Sequence, residues 1–251
     1  MDKSRLAGKH ALITGGAQGM GAAIGEYYAA QGAKVCLGDV NLAGCEEVAA
    51  RINSAGGEAI AVKLDVTQRD QISAAVQATV DAFGSINVML NNAGINKIDK
   101  LRDISIEDFD NVQKVNLRAP FTLIKTLSTS MAHKKWGRIV NISSIFGLVT
   151  KEKRTSYSVS KNAINGLTKS AALDLAGEGI LVNSVSPGFI DTELTRNVLG
   201  EEGIREMVKL VPLGRLGSPE SISSAVLFLC SEENQFLTGQ NIVVDGGFTC
   251  G

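Results

Sequence analysis

The eight residues Thr14-Gly15-Gly16-Ala17-Gln18-Gly19-Met20-Gly21 restrict the fold of this chain more than any other feature. They follow a short apolar run, Lys9 to Thr14, and open a helical pattern from about Met20 to Gln31. Glycine lets a backbone turn tightly and lets another molecule approach it closely, while a helix start offers N–H groups that nothing in the helix satisfies. Gly15, Ala17, Gln18, Gly19, Met20 and Gly21 are therefore candidate partners of a pyrophosphate. The spacing is Gly-x-x-x-Gly-x-Gly, which departs from the common Gly-x-Gly-x-x-Gly form. A turn that serves only helix–strand packing is the competing reading, and the strand–turn–helix placement weighs against it.

The same alternation runs along the whole chain. Apolar runs rich in Val, Ile and Leu lie at Lys9 to Thr14, Lys34 to Asp39, Glu58 to Asp65, Ile86 to Asn91, Gly137 to Ser143, Ile180 to Val185 and Asn241 to Asp245. Most lack polar alternation, as strands buried on both faces do. Between them, helical patterns occupy about Met20 to Gln31, Leu42 to Ser54, Gln68 to Phe83, Ser105 to Ala132, Thr155 to Leu175 and Pro219 to Cys230. Repeated strand–helix order predicts parallel pairing with right-handed crossovers. No Pro- or Ser-rich linker interrupts it, so residues 1–251 read as one α/β domain. The polar, glycine-punctuated stretch from Pro187 to Gly217, with a short helix near Glu201 to Lys209, is the exception, and residues 188–217 form the candidate substrate lid.

Composition removes several function classes. Lys plus Arg total 25 against 26 for Asp plus Glu, so at a net charge of -1 no basic field draws nucleic acid or an anionic membrane. No apolar run approaches the roughly 20 residues of a membrane span. Cys36, Cys45, Cys230 and Cys250 form no Cys-x-x-Cys pair, and the N-terminus carries no export-signal pattern, so a reduced, cytoplasmic protein is expected. The two histidines, His10 and His133, have no second ligand at metal spacing; no metal is expected, and a Ser/His/Asp hydrolase lacks parts.

Asp39 ends the second apolar run, 18 residues after Gly21, where a carboxylate can accept hydrogen bonds from ribose hydroxyls and repels a 2′-phosphate. With Val40 next to it and no nearby cation, NAD fits better than NADP. Asp39 also suits the approach to a helix N-cap, and Asp65 and Val66, placed to face an adenine, have the same alternative. Further on, Tyr157-Ser158-Val159-Ser160-Lys161 sets a phenol and an ammonium at i and i+4 on one helical face. A neighbouring cation favours the phenolate, which makes Tyr157 a candidate general acid/base. Alone, that pair is a weak signal.

Taken together, the Thr14 to Gly21 turn, Asn91-Asn92-Ala93-Gly94, Asn116, Ser144, the Tyr157/Lys161 pair, Pro187-Gly188 and Asp245-Gly246-Gly247 resemble, in order and spacing, the classical short-chain dehydrogenase/reductase family. The resemblance covers essentially the whole chain. It implies a Rossmann fold: a doubly wound, mostly parallel seven-stranded sheet with helices on both faces. It also implies that Tyr157 exchanges a proton with the substrate oxygen, that Ser144 rather than Ser143 bonds that oxygen, and that Lys161 lowers the Tyr157 pKa and holds the nicotinamide ribose. Asn116 would position Lys161 and a relay water. Asn92, Ala93 and Gly94 would lie near the adenine ribose, and Pro187, Gly188, Ile190 and Thr192 beside the nicotinamide. Hydride transfer itself belongs to the cofactor.

By the same resemblance, a secondary alcohol or ketone is the expected substrate, in a pocket with Ile95, Asn96, Ile145, Phe146, Leu148 and Phe189. The Pro187 to Thr192 and Leu237 to Gln240 segments are similar to those of 3-oxoacyl-acyl-carrier-protein reductases as well as NAD-linked dehydrogenases. Asp39 opposes the NADPH-dependent carrier-protein reading, and Glu178 sits where a carrier-docking cation is expected. An inactive cofactor-binding homologue is a remote third reading, since every catalytic position is filled. Lys151-Glu152-Lys153-Arg154, of net charge +2, lies between Ser144 and Tyr157; it either attracts an anionic substrate group or forms a solvated loop or subunit contact. A homotetramer is the family expectation, with Phe121, Leu123, Ile124 and Leu127 serving either an interface or the core.

Overall fold

The computed structural model describes residues 4–250, leaving out the side chains at 193, 194 and 197–199, so part of the expected lid lies outside the described side chains. Seven parallel strands form one sheet: β1 (His10–Thr14), β2 (Lys34–Asp39), β3 (Glu58–Lys63), β4 (Val88–Asn91), β5 (Gly137–Ile142), β6 (Ile180–Pro187) and β7 (Asn241–Val244). Their order is β3-β2-β1-β4-β5-β6-β7. Every pairing is parallel, for example His10 with Lys34 and Ala11 with Val88 on either side of β1. The sheet is thus wholly parallel, where the sequence led us to expect a mostly parallel one.

Alternate residues along each strand feed two cores, one on each face. Ala11 and Ile13 of β1 and Val35 and Leu37 of β2 pack on one side, while Leu12 and Cys36 pack on the other. The first core is closed by α1 (Gly19–Ala30), α2 (Leu42–Ser54) and α8 (Pro219–Cys230), the second by α3 (Arg69–Phe83), α5 (Ala119–His133) and α6 (Thr155–Leu175). Each fully buried Leu or Ile is worth about 1.5–3 kcal/mol relative to exposure, which is why two-sided burial selects runs with no polar alternation. Leu123, Ile124 and Leu127 belong to the second core, whereas Phe121 is half exposed.

Helix boundaries follow local chemistry. Asn41 caps α2 by accepting the Gly44 N–H, Ser105 caps α4 (Ile106–Gln113) by accepting the Asp108 N–H, and Pro219 opens α8. The single helix expected from Ser105 to Ala132 is α4 and α5 joined by a π-helical turn, Lys114–Arg118. Hydrophobic periodicity carries no sign of such a one-residue expansion. The short helix expected near Glu201 begins earlier, as α7 (Glu193–Lys209), and is broken at Gly200, whose φ of 62° no regular helix accepts. No helix among the described residues is long and apolar enough to cross a membrane.

The chain reverses direction across the sheet between β1 and β4. Open parallel sheets bind ligands at that point, beyond the carboxyl ends of the strands. Here those ends carry Thr14-Gly15 and Asn91-Asn92.

Candidate active site

The glycine turn is built by its neighbours. Gly15 (φ 69°) donates its N–H to Gly38 O at 2.8 Å, and Asn92 Nδ2 donates to Thr14 O and Gly15 O, both at 3.0 Å. Thr14 Oγ1 accepts the N–H groups of Asn92 and Ala93 at 3.1 Å, tying the end of β4 to the end of β1. A Cβ on Gly21 would collide with Gly15 O, and one on Gly15 would lie 2.8 Å from Asn92 Nδ2. At Gly19 (φ 56°) a Cβ would meet only Thr192 Cγ2, at 3.9 Å. The N-terminus of α1 therefore faces open space, a cradle that fits a pyrophosphate.

A cleft runs from this cradle. Gly15, Gln18, Gly19, Met20, Asp39 and Val40 line it from β1 and β2, Asp65 and Val66 from the end of β3, and Asn92, Ala93, Gly94 and Thr192 from the far side. Leu64, Ile95 and Val115 complete the wall. Ala17 and Gly21 do not line it; they shape the turn from behind. Asp39 Oδ2 accepts the Ala17 N–H at 3.3 Å and Oδ1 the Asn41 N–H at 3.0 Å, so Asp39 stands before the cap residue Asn41 rather than capping α2 itself. Asp65 Oδ1 accepts from Thr67 N (2.9 Å) and Thr67 Oγ1 (2.8 Å), which gives it a turn-forming role as well as a place in the wall. A carboxylate at the rim and free helix N–H groups beneath it suit the ribose and pyrophosphate of a dinucleotide.

The second part of the site gathers where β5 and α6 meet. Ser144 ends β5's loop and caps the 3-10 turn Ile145–Gly147, accepting the Phe146 N–H at 3.1 Å. Its hydroxyl lines the same cavity as the Tyr157 phenol, whereas Ser143 Oγ donates to Lys161 O at 3.0 Å and so serves the scaffold. Burial raises the Tyr157 pKa above its usual value; the Ser144 hydroxyl and the charge of Arg154 pull it back down. Lys161 lies 5.5 Å from the centre of the Tyr157 ring, but its Nζ donates to Ile142 O at 2.7 Å. Burial, with only 4% of the side chain exposed, lowers the Lys161 pKa to about 8. In this geometry Ser144 and Arg154 pull the phenol's pKa down, and Lys161 stands beside the ring.

Asn116 stands within the π-helical turn. Its Oδ1 accepts the Ile95 N–H at 2.9 Å, and its Nδ2 donates to Ile95 O at 2.9 Å and to Ser160 Oγ at 3.0 Å. The expanded turn thus stitches the loop after β4 to the helix carrying Tyr157 and Lys161. Ser160 was not singled out in the sequence; its position between the two functional residues was the available signal.

A cavity of about 540 Å³ opens from Ser144, Tyr157 and Lys161. Ile95, Asn96, Ile145, Phe146 and Phe189 line it as expected, together with Pro187, Gly188, Ile190 and Thr192. Leu148 does not; at 51% exposure it points to solvent beyond the 3-10 turn. Lys151 and Arg154 of the basic cluster line the cavity, and Glu152 and Lys153 do not. Among the described residues no His, Cys, Asp and Glu side chains gather as a metal site.

Known proteins match this architecture throughout its length. The family model described as Enoyl-(Acyl carrier protein) reductase, adh_short_C2, matches residues 15–249. The chain is 38% identical over 248 residues to a 2,5-dichloro-2,5-cyclohexadiene-1,4-diol dehydrogenase of Sphingobium indicum, covering 99% of each chain. It is 39% identical over 243 residues to a 3-oxoacyl-acyl-carrier-protein reductase of Thermotoga maritima, covering 97% of this chain and 98% of the relative. A crystal structure of a short-chain type dehydrogenase/reductase from Mycobacterium marinum superposes with a TM-score of 0.94 at 34% identity, covering 98% of this chain and 97% of the other. With its fold, its glycine turn and these relatives, the chain belongs to the short-chain dehydrogenase/reductase family of oxidoreductases.

Proposed function

We propose that this protein is an NAD(H)-dependent oxidoreductase that interconverts a secondary alcohol and a ketone, with Tyr157 as general acid/base. The observation that carries the reading is that Ser144, Tyr157 and Lys161 line one cavity that adjoins the glycine cradle, with the Ser144 hydroxyl acting on the Tyr157 phenol. A nicotinamide bound there supplies the hydride chemistry. The protein's part is orientation and proton handling. Tyr157, a phenol whose pKa burial raises, donates its proton to a ketone oxygen; in the reverse direction the same oxygen accepts the alcohol proton. Ser144 Oγ holds the same oxygen and stabilises its developing charge. Lys161 presents an ammonium toward the nicotinamide ribose, and Asn116 fixes the helix that carries both groups.

NAD preference rests on Asp39, whose carboxylate stands at the rim of the cradle with Val40 exposed beside it and no cation lining that cleft among the described residues. A 2′-phosphate brought there meets like charge. A second reading, an NADPH-dependent 3-oxoacyl-acyl-carrier-protein reductase, draws support from the relative in Thermotoga maritima. Turnover of a panel of secondary alcohols and ketones with each cofactor decides between them: NAD-linked oxidation of small alcohols is expected, and NADPH-linked reduction of 3-oxoacyl thioesters alone would overturn the assignment.

A homotetramer in the cytoplasm is the accompanying assignment. Phe121 on α5 and Leu173 on α6, 50% and 83% exposed, offer apolar surface on two long helices, and the buried thiols of Cys36, Cys45 and Cys230 suit a reducing compartment. Light scattering on the purified protein tests the assembly.

A further inference from the structure

The substrate cavity is electrostatically one-sided. Its described lining includes Lys151, Arg154 and Lys161 and no Asp or Glu. Lys161 has its carbonyl partner in Ile142, but Arg154 Nε is buried with no hydrogen-bond partner, and neither Arg154 nor Lys151 forms an ion pair among the described residues. Burial lowers the pKa of both side chains, and the charge of Arg154 lowers that of Lys151 further. Arg154 is half-buried and Lys151 exposed, so the guanidinium keeps contact with water, but its buried Nε–H has no acceptor unless something anionic arrives to supply one.

Arg154 is also held in place. Its guanidinium lies 5.5 Å over the Phe146 ring, and that ring meets Tyr157 and Phe189 edge-on at 6.4 Å each. Arg154 is the residue immediately before α6, three positions ahead of Tyr157; both line the same cavity, and the charge of Arg154 acts on the Tyr157 phenol. Lys153 reaches this junction in the left-handed region (φ 64°), a conformation costly for a lysine, and the turn it makes leaves Lys151 at the cavity mouth and Arg154 deeper inside.

The geometry points to a carboxylate on the substrate: the oxidoreductase proposed above acts on a hydroxy acid and its oxo acid, with Arg154 gripping the carboxylate and Lys151 drawing it in. A planar guanidinium matches a carboxylate through paired N–H donors, and a lysine at the mouth adds attraction without demanding geometry. Because Arg154 and Tyr157 line one cavity, the carboxylate and the carbinol carbon belong to the same small substrate. Glu152 and Lys153, outside the cavity, take no part. This inference rests on the proposed reaction, so its test separates the two.

Turnover and thermal unfolding, both with cofactor present, are measured for 2-, 3- and 4-hydroxy carboxylates, their methyl esters and phosphate monoesters of matching diols. The acids are expected to exceed their esters in kcat/KM by about 10- to 100-fold, the range of a hydrogen bond to a charged group. Arg154→Met is expected to lose most of that preference through KM, with Arg154→Lys retaining part of it. Esters handled as well as acids, an acid preference that survives in Arg154→Met, or phosphate monoesters preferred over the acids would each overturn the carboxylate assignment. If nothing in the panel turns over, acid-selective thermal stabilisation lost in Arg154→Met still supports the site while the reaction assignment fails; stabilisation equal for acids and esters sinks the site itself.

Discussion

Asn116 Nδ2 donates a 3.0 Å hydrogen bond to Ser160 Oγ, and the same amide pairs with both the N–H and the C=O of Ile95. One buried side chain therefore locks three segments: the π-helical turn, the loop after β4 and the helix bearing Tyr157 and Lys161. Replacing it by Ala leaves the Ile95 backbone groups without partners and frees α6 to drift. Asn116→Ala is expected to cost about 1–3 kcal/mol of stability by chemical denaturation and roughly 100-fold in turnover, since displacements near 1 Å have that effect. Ser160→Ala, which removes one of the three bonds, is expected to fall between it and the parent protein.

Asp39 Oδ2 accepts the Ala17 N–H at the base of the glycine turn, so its carboxylate is fixed at the cleft rim. Asp39→Ala is expected to weaken NADH binding by about 10-fold or more, the equivalent of a lost charged hydrogen bond, and to narrow the gap to NADPH. Cofactor fluorescence titration measures both. An unchanged NADH:NADPH ratio would remove Asp39 from cofactor selection.

Gly21 has no room for a side chain, because a Cβ would strike Gly15 O. Gly21→Ala must push the glycine turn away from α1, at about 1–3 kcal/mol of overpacking. Loss of cofactor affinity together with a lowered Tm is the expected result; an intact Kd would show that the turn tolerates displacement.

Much of this was legible in the sequence for a simple reason. Runs such as Ile139-Val140 and Leu12-Ile13 feed opposite cores in successive residues, and two-sided burial leaves an unbroken apolar signature. The glycine turn announced itself because Gly15 and Gly21 leave no room for a Cβ and Gly15 and Gly19 take a positive φ. What stayed hidden depends on contacts between distant segments. The π-helical turn changes no residue type, so the pattern from Ser105 to Ala132 read as one helix. The basic cluster was visible, but which of its four residues enter the cavity depends on the turn at Lys153. Sequence spacing put Lys161 beside Tyr157, where the structure has it, but that one of its three N–H donors goes to the Ile142 carbonyl and that Ser144 and Arg154 act on the phenol depends on contacts between distant segments.

Lys161 gives a pH signature of its own. Its folded pKa of about 8 lies below the ordinary lysine value of 10.5, so the unfolded chain binds the proton more tightly in between. Folding carries the cost of a buried charge below about pH 8, and that cost fades as pH rises toward 10.5, where both states are neutral. Relative to Lys161→Met, the parent protein is expected to gain on the order of 3 kcal/mol of stability across that window. Urea unfolding of both proteins at several pH values measures the difference, and parallel curves would place the lysine in a more polar setting.

The most direct test compares the parent protein with Tyr157→Phe over a panel of secondary alcohols, following nicotinamide reduction while NADH binding is titrated in parallel. The phenol's oxygen is the one atom removed, and the Phe146 contact survives. Turnover is expected to fall by about 100- to 10,000-fold, the contribution of a positioned acid/base, with NADH affinity intact. Parent-level turnover in the variant would contradict the assignment of Tyr157 as the proton-transferring group.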